Sequence, residues 1–234
     1  MWPRDAEELT ARQRRLAAVT PAPWQRPATE LGVGGCWVCS PRGHMGPGRA
    51  GDPAWTAAVL QCGDRLVDRQ VTTGVTDAPY VPGLLALRIG RLLDEVVRTL
   101  SRAPDVLLVD ATGRDHPRRA GLALQLGAEL DLPTVGVTHR PLRAEGEWPP
   151  DVRGAVGPVR IGGEVVACWV RTRAGARPLV VHPGWRTDLE TAVDVVLGSS
   201  RRRTPEPLRL ARQAARSARS HDEQTHPPSD EQGG

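Results

Sequence analysis

The most restrictive feature of this sequence is one short apolar run closed by an acid. Val106, Leu107, Leu108 and Val109 follow Pro104-Asp105 and stop at Asp110, with Thr112-Gly113 turning the chain immediately afterwards. Four consecutive apolar residues between turn signals predict a strand buried on both faces, the situation of a central strand in a largely parallel sheet. Such a strand needs crossover helices, and helical patterns stand on either side of it. Leu85, Ile89, Leu92, Val96 and Leu100 make one stripe along residues 83–100, and residues 117–130 read as a helix with Pro117 at its first position. A second buried strand is expected at 133–138.

The remaining elements extend this α/β core. Residues 31–39, 54–60 and 66–75 read as three strands of an antiparallel meander. Residues 156–161 and 165–170 read as a hairpin turning through Gly162-Gly163. Residues 5–19 form a helix capped by Asp5, and residues 187–197 one capped by Thr187 with Glu190 three positions on. Residues 206–218 complete the set. The expectation is a single α/β domain over residues 1–218, a mixed sheet flanked by helices, followed by a disordered tail at 219–234.

Asp110 then falls at the carboxyl end of its strand, where open α/β sheets place their ligand crevice. His116 lies on the adjoining loop. A carboxylate and an imidazole so placed suit metal binding, proton transfer or phosphate contact. They equally suit an Asp capping its own turn and a His bonding nearby backbone, and the residues alone leave both open.

Composition removes some chemistries. All 31 basic residues are arginine, so a phosphate-loop lysine and a Schiff-base lysine are both excluded. No run is long and apolar enough for a membrane span, and the start MWPRDAEELT lacks a secretory layout, so a cytoplasmic protein with no membrane association is expected. Cys36 and Cys39 stand three apart in a predicted strand and point to opposite faces, which makes buried thiols of them and not a zinc pair. Charge is uneven. Residues 199–220 hold seven arginines and one glutamate, and 221–234 hold four carboxylates and no arginine. Arg209, Arg212, Arg216 and Arg219 fall three and four apart on one helix face, which suits phosphate contact or a solvated surface.

Five ordered stretches carry a resemblance: PYVPGLLALR (79–88), PDVLLVD with HPRRAGLA (104–110 and 116–123), LDLPTVGVT (130–138), PGWRTDLETA (183–192) and PEPLRLA (205–211). In that order and spacing the chain resembles endonuclease V, a family with a ribonuclease H-like fold. The resemblance implies Mg²⁺-dependent cleavage of DNA or RNA, as a single strand or damaged duplex, near a deaminated purine such as inosine. It implies three carboxylates: an Asp in the first strand, a Glu after the PG-L-L-x-x-R run and the Asp of the VDG strand. It also implies that the Pro79, Tyr80, Val81, Pro82 and Gly83 loop faces the strand as a wedge, a use for which a Pro-flanked aromatic is suited.

Only the last carboxylate survives here. The first-strand Asp falls at Trp37, the Glu at Ile89, and Asp110 alone matches as the metal ligand. The family's Gly-His-Gly becomes Ala111-Thr112-Gly113, its lysine falls at His139, which keeps a donor but loses a permanent charge, and a further His falls at Trp185. Ile89 lies on the apolar stripe of its helix. The expected function is a nucleic-acid-binding pseudonuclease using the 79–83 loop, His139, Arg209 and Arg212, with Mg²⁺ required only if activity remains. Two other readings stand beside it: an active enzyme whose metal site is rebuilt from Asp110, Asp188 and Glu190, and a protein-interaction domain with Trp37 and Trp185 filling the old cleft.

Overall fold

The structure is a computed structural model and describes residues 1–225. Its centre is an eight-stranded mixed sheet. The strands are β1 (Gly32–Cys39), β2 (Pro53–Cys62), β3 (Arg65–Val75), β4 (Val106–Val109), β5 (Thr134–Thr138), β6 (Val156–Ile161), β7 (Glu164–Val170) and β8 (Leu179–Pro183). Their order across the sheet is β3-β2-β1-β4-β5-β8-β7-β6. β1, β4 and β5 run parallel in the middle, and every other neighbouring pair is antiparallel.

Alternation along β4 explains the two layers around it. Leu107 and Val109 join Leu93, Val96 and Leu126 on one face, while Val106 and Leu108 join Val137, Val181 and Val196 on the other. Helices α1 (Ala6–Ala17), α2 (Leu85–Arg98) and α3 (Leu122–Leu130) cover the first face. Helices α4 (Leu189–Gly198) and α5 (Glu206–Thr225) cover the second. The start of α5 lies almost on β1: a Cβ placed on Gly35 would stand 2.4 Å from the Pro207 carbonyl carbon. Glycine is required there because two backbones touch.

The predicted hairpin forms, with Gly162 and Gly163 both at positive φ, as a two-residue turn of the twist-compatible kind demands. Three expectations are corrected. α3 begins at Leu122, not Pro117, because Arg119 adopts φ +57°, a left-handed conformation that a helix interior does not hold. Thr187 does not cap α4: its hydroxyl bonds the Thr134 carbonyl at 2.7 Å, and Asp188 caps instead by accepting from the Thr191 N–H at 2.8 Å. Strand β8 carries no clear sequence signal, since LVVHP is short and has prolines at both ends. The last helix runs to Thr225, well into the segment expected to be disordered. Trp55 Nε1 donates to Asp222 at 3.1 Å and Arg42 to Ser220 at 2.5 Å, which ties that extension to the body. The rest of the predicted tail lies outside the described residues. No helix among the described residues is long and apolar enough to cross a membrane.

Candidate functional site

A cleft of about 430 Å³ opens at the carboxyl ends of β4 and β5, lined among others by Tyr80, Asp110, His116, Gln125, Thr138 and His139. Its outer lip is the 79–83 loop, and both ends of that loop are pinned. Arg88, almost wholly buried, donates to the Ala78 carbonyl at 2.7 Å and to Asp52 at 3.0 Å. At the other end the Gly83 carbonyl faces three nitrogens: Arg118 Nη2 at 2.8 Å, Gln13 Nε2 at 3.0 Å and His116 Nε2 at 3.2 Å. In the middle, the Tyr80 N–H donates to the Pro47 carbonyl at 2.7 Å. A fixed backbone thus presents exposed Tyr80 and Val81, flanked by exposed Pro79 and Pro82, at the mouth of the cleft.

The opposite lip is held by a residue that the sequence did not single out. Asp115 is fully buried and accepts the backbone N–H groups of Leu142, Arg143 and Ala144 at 2.6, 2.7 and 2.9 Å. This locks the turn that carries Pro141 and Leu142 into the cleft wall. Behind it, the hydroxyl of Thr138 is 2.9 Å from Nε2 of the buried His182.

His116, Asp110 and His139 all reach the cleft, but in different conditions. Both ring nitrogens of His116 are engaged, Nδ1 accepting from the Arg118 N–H at 3.2 Å and Nε2 facing Gly83. Burial, then the neighbouring Arg118 charge, push its pKa down to about 4, so it is a neutral strut at physiological pH. His139 is also shifted down, chiefly by burial and then by Arg203 and Arg212, so it brings no standing charge to the cleft. Asp110 is open to solvent and lines the cleft, with neighbouring protein taking away part of its hydration. That loss of hydration raises its pKa from 3.8 to about 6, with Arg212 pulling weakly the other way.

The sign of that shift has a measurable consequence. A folded-state pKa above the unfolded one means the native state holds its proton more tightly, so stability is fully present below pH 3.8 and falls as pH rises through about 6. Asp110→Asn is therefore expected to melt above wild type at pH 7.5 by roughly 2–4 °C, after discounting for the water that reaches the group. The two melting curves should converge near pH 4. A variant that melts below wild type at pH 7.5 would show that the ionised carboxylate is stabilising.

The pattern of the Endonuclease V family matches residues 49–213, well over half of the chain. The chain belongs to the endonuclease V family. Endonuclease V of Methanopyrus kandleri is 48% identical over 147 residues, which are 62% of this chain and 63% of that protein, so the chain spans just under two thirds of that relative's length. The solved endonuclease V from Streptomyces avermitilis superposes with a TM-score of 0.83 at 33% identity, covering 94% of this chain and 95% of that one. Endonuclease V from Ciona intestinalis, solved in complex with a 24mer DNA containing an inosine followed by a ribo-adenosine, has the same fold at TM-score 0.76 and 22% identity, over 92% of this chain and 97% of that one. The ribonuclease H-like architecture expected from the sequence is that of these relatives.

Within the endonuclease V frame, the two replaced carboxylate positions are filled with packing. Trp37 lies against the cluster of Cys39, Trp55, Ala214 and Ala215 between the sheet and α5. Ile89 packs against the α2 side of the core. Among the described residues no three His, Cys, Asp or Glu side chains come together. Magnesium takes near-octahedral oxygen ligands, usually more than one carboxylate, and the residues here do not fit it.

The rebuilt metal site is not formed either. Asp188 follows Thr187, which is bonded to the first residue of β5, whereas Asp110 ends the parallel strand β4. The two groups sit at opposite ends of the sheet, about a strand's length apart. Trp185 is at that far end too, its backbone N–H donating to the Thr134 hydroxyl at 2.8 Å, so it does not fill the cleft. Among the basic residues expected to face nucleic acid, Arg209 is held by Glu206 at 2.6 Å. Arg212 is stacked on Trp37, its guanidinium carbon 5.4 Å from the ring centre.

Proposed function

We propose that this chain is a nucleic-acid-binding endonuclease V homologue that has lost metal-dependent strand cleavage. One observation carries the reading: of the three carboxylates expected at the cleft only Asp110 is present, and the other two positions are occupied by Trp37 and Ile89, both used as packing. Filling as well as deletion separates this cleft from a site that has merely mislaid one ligand. A lone carboxylate in the cleft, already drawn toward its neutral form, binds a divalent cation poorly.

The parts that would hold a strand are retained. The pinned loop offers Tyr80 as a rigid aromatic, and base–aromatic stacking contributes about 1–3 kcal/mol per base. Gln125, 1% exposed, gives Nε2 to the Ala120 carbonyl and keeps an Oε1 with no partner among the described residues, one acceptor in the cleft wall for a base N–H. His116 acts in this reading as a positioning residue for the wedge, and Pro79, Val81 and Pro82 shape it. That the Ciona relative was solved with inosine-containing DNA supports a nucleic-acid strand as the class of ligand.

Incubation of the chain with inosine-containing single-stranded DNA and RNA in Mg²⁺ or Mn²⁺ is expected to give no nicked product above background. The same oligonucleotides should bind at low salt with log Kd rising in proportion to log salt, by about 0.7 per phosphate contacted. Cleavage that Asp110→Ala abolishes would overturn the loss of catalysis, and salt-independent binding would overturn the nucleic-acid reading.

A further inference from the structure

We propose that Arg212, which stands on α5 against Trp37 beside this cleft, takes the place of a divalent cation, so that the chain grips one phosphodiester of a single strand through a guanidinium and needs no metal to do so. The inference rests on the nucleic-acid reading above and specifies which charge does the holding. Of the other arginines on the α5 face, Arg209 is spent on Glu206 and Gln213, Arg219 donates to the Ser40 carbonyl at 3.0 Å, and Arg216 stands exposed to solvent one turn further along the helix. Arg212 has no hydrogen bond or ion pair among the described residues, and its Nε is buried without a partner. What it has is the face of Trp37, 5.4 Å away, the residue that stands where the family resemblance puts a carboxylate.

That pairing has a chemical logic. A carboxylate at position 37 would call for a positive ion beside it. An indole calls instead for a flat, weakly hydrated cation, which the ring quadrupole attracts and orients. The guanidinium acts on Asp110 and His139 through space while forming no ion pair with either. It therefore adds a positive charge to this end of the sheet, where Arg140 lines the cleft and Arg203 lies near His139, and it keeps its hydrogen-bond donors unspent. A phosphate oxygen pair matches a guanidinium fork, and no bound metal is needed to offset the phosphate charge. A carboxylate-bearing peptide would satisfy the same fork, but the adjoining aromatic wedge and base-sized cleft favour a nucleotide strand.

Fluorescence anisotropy with a labelled, inosine-containing single-stranded 20-mer provides the test, in EDTA and in Mg²⁺ at matched ionic strength. Wild type is expected to bind equally in both, within about twofold. Arg212→Ala should weaken binding at least roughly tenfold, the loss of one charged contact, and lower the salt slope by about 0.7. Arg212→Lys should restore the slope but only part of the affinity, since it keeps charge and loses the planar stack. Circular dichroism on both variants checks that the fold is retained. Binding that EDTA abolishes, or an Arg212→Ala protein with wild-type affinity and slope, overturns the role of Arg212 while leaving strand binding intact. Failure of wild type to bind at low salt in either buffer overturns the nucleic-acid reading itself, and this inference with it.

Discussion

Asp115→Ala is expected to lower the melting temperature by roughly 6–12 °C and to loosen one wall of the cleft. The residue is fully buried, and its two oxygens accept three consecutive backbone N–H groups at 142–144. Alanine strips all three donors of their partner at once. Each buried donor left unmatched costs about 1–3 kcal/mol, so a total near 3 kcal/mol is expected even where water relieves the outer two. For a chain of this length each kcal/mol corresponds to about 2–4 °C. Asp115→Asn should lie between: its single carbonyl oxygen can keep the Arg143 and Ala144 bonds on one side, while its amide nitrogen faces the Leu142 N–H as donor to donor. Amide hydrogen exchange gives the local reading, with protection lost at 142–144 before it is lost in β4 or β5. An Asp115→Ala protein that melts within a degree of wild type, with those amides still protected, would show that the turn is held by something else.

The contrast between Asp115 and Asp110 shows what a sequence discloses and what it hides. Asp110 ends an apolar run, and strand periodicity alone puts it at the sheet's working edge. Val106 to Val109 are indeed buried on both faces, and the stripe of α2 does face the sheet. Gly162-Gly163 announces its turn because two positive φ values in succession admit few other residues. Signals of this kind are local, carried by neighbours a few residues apart. Asp115 sits beside His116 in the same motif, yet its three partners lie 27 to 29 residues further on. Gln13 reaches the Gly83 carbonyl across 70 residues, and nothing around position 13 in the sequence hints at the wedge loop.

The segments that the sequence misrepresents do so for the same reason. Thr187 and Glu190 satisfy a capping-box spacing, but the Thr134 carbonyl lies within reach of the Thr187 hydroxyl, and Asp188 is left to cap the helix. The composition of the C-terminal segment reads as disordered because its charges look solvated. In the fold they pair with Arg42 and Trp55 from distant parts of the chain, and α5 continues through them. Replacement of the cleft carboxylates was legible, since it needs only the motif's order. The partner of one replacement, Arg212 against Trp37, needed the packing of α5 on β1 to appear.

Restoring both carboxylates by Trp37→Asp with Ile89→Glu is expected to damage the protein without reviving cleavage. Trp37 fills space between the sheet and α5, and its loss leaves a cavity beside a new charge. Ile89 faces the apolar side of α2, where a glutamate must either stay neutral or drag water inward. Large-to-small change at a packed aromatic alone costs about 3–5 kcal/mol, a fall in melting temperature of roughly 6–20 °C. The carboxylate introduced at position 37 would also lie beneath the Arg212 guanidinium, which pairs with it in preference to leaving it for a hydrated cation. Mg²⁺ should therefore raise the melting temperature of the double variant little, and visibly only once Arg212→Ala is added to clear the competing charge. Mg²⁺-dependent nicking by the double variant at wild-type stability would show that the old ligand cage is still open, and the view of Trp37 and Ile89 as filling would have to be abandoned. Metal-dependent stabilisation that appears only with the third substitution would identify the guanidinium as what occupies the cation's place.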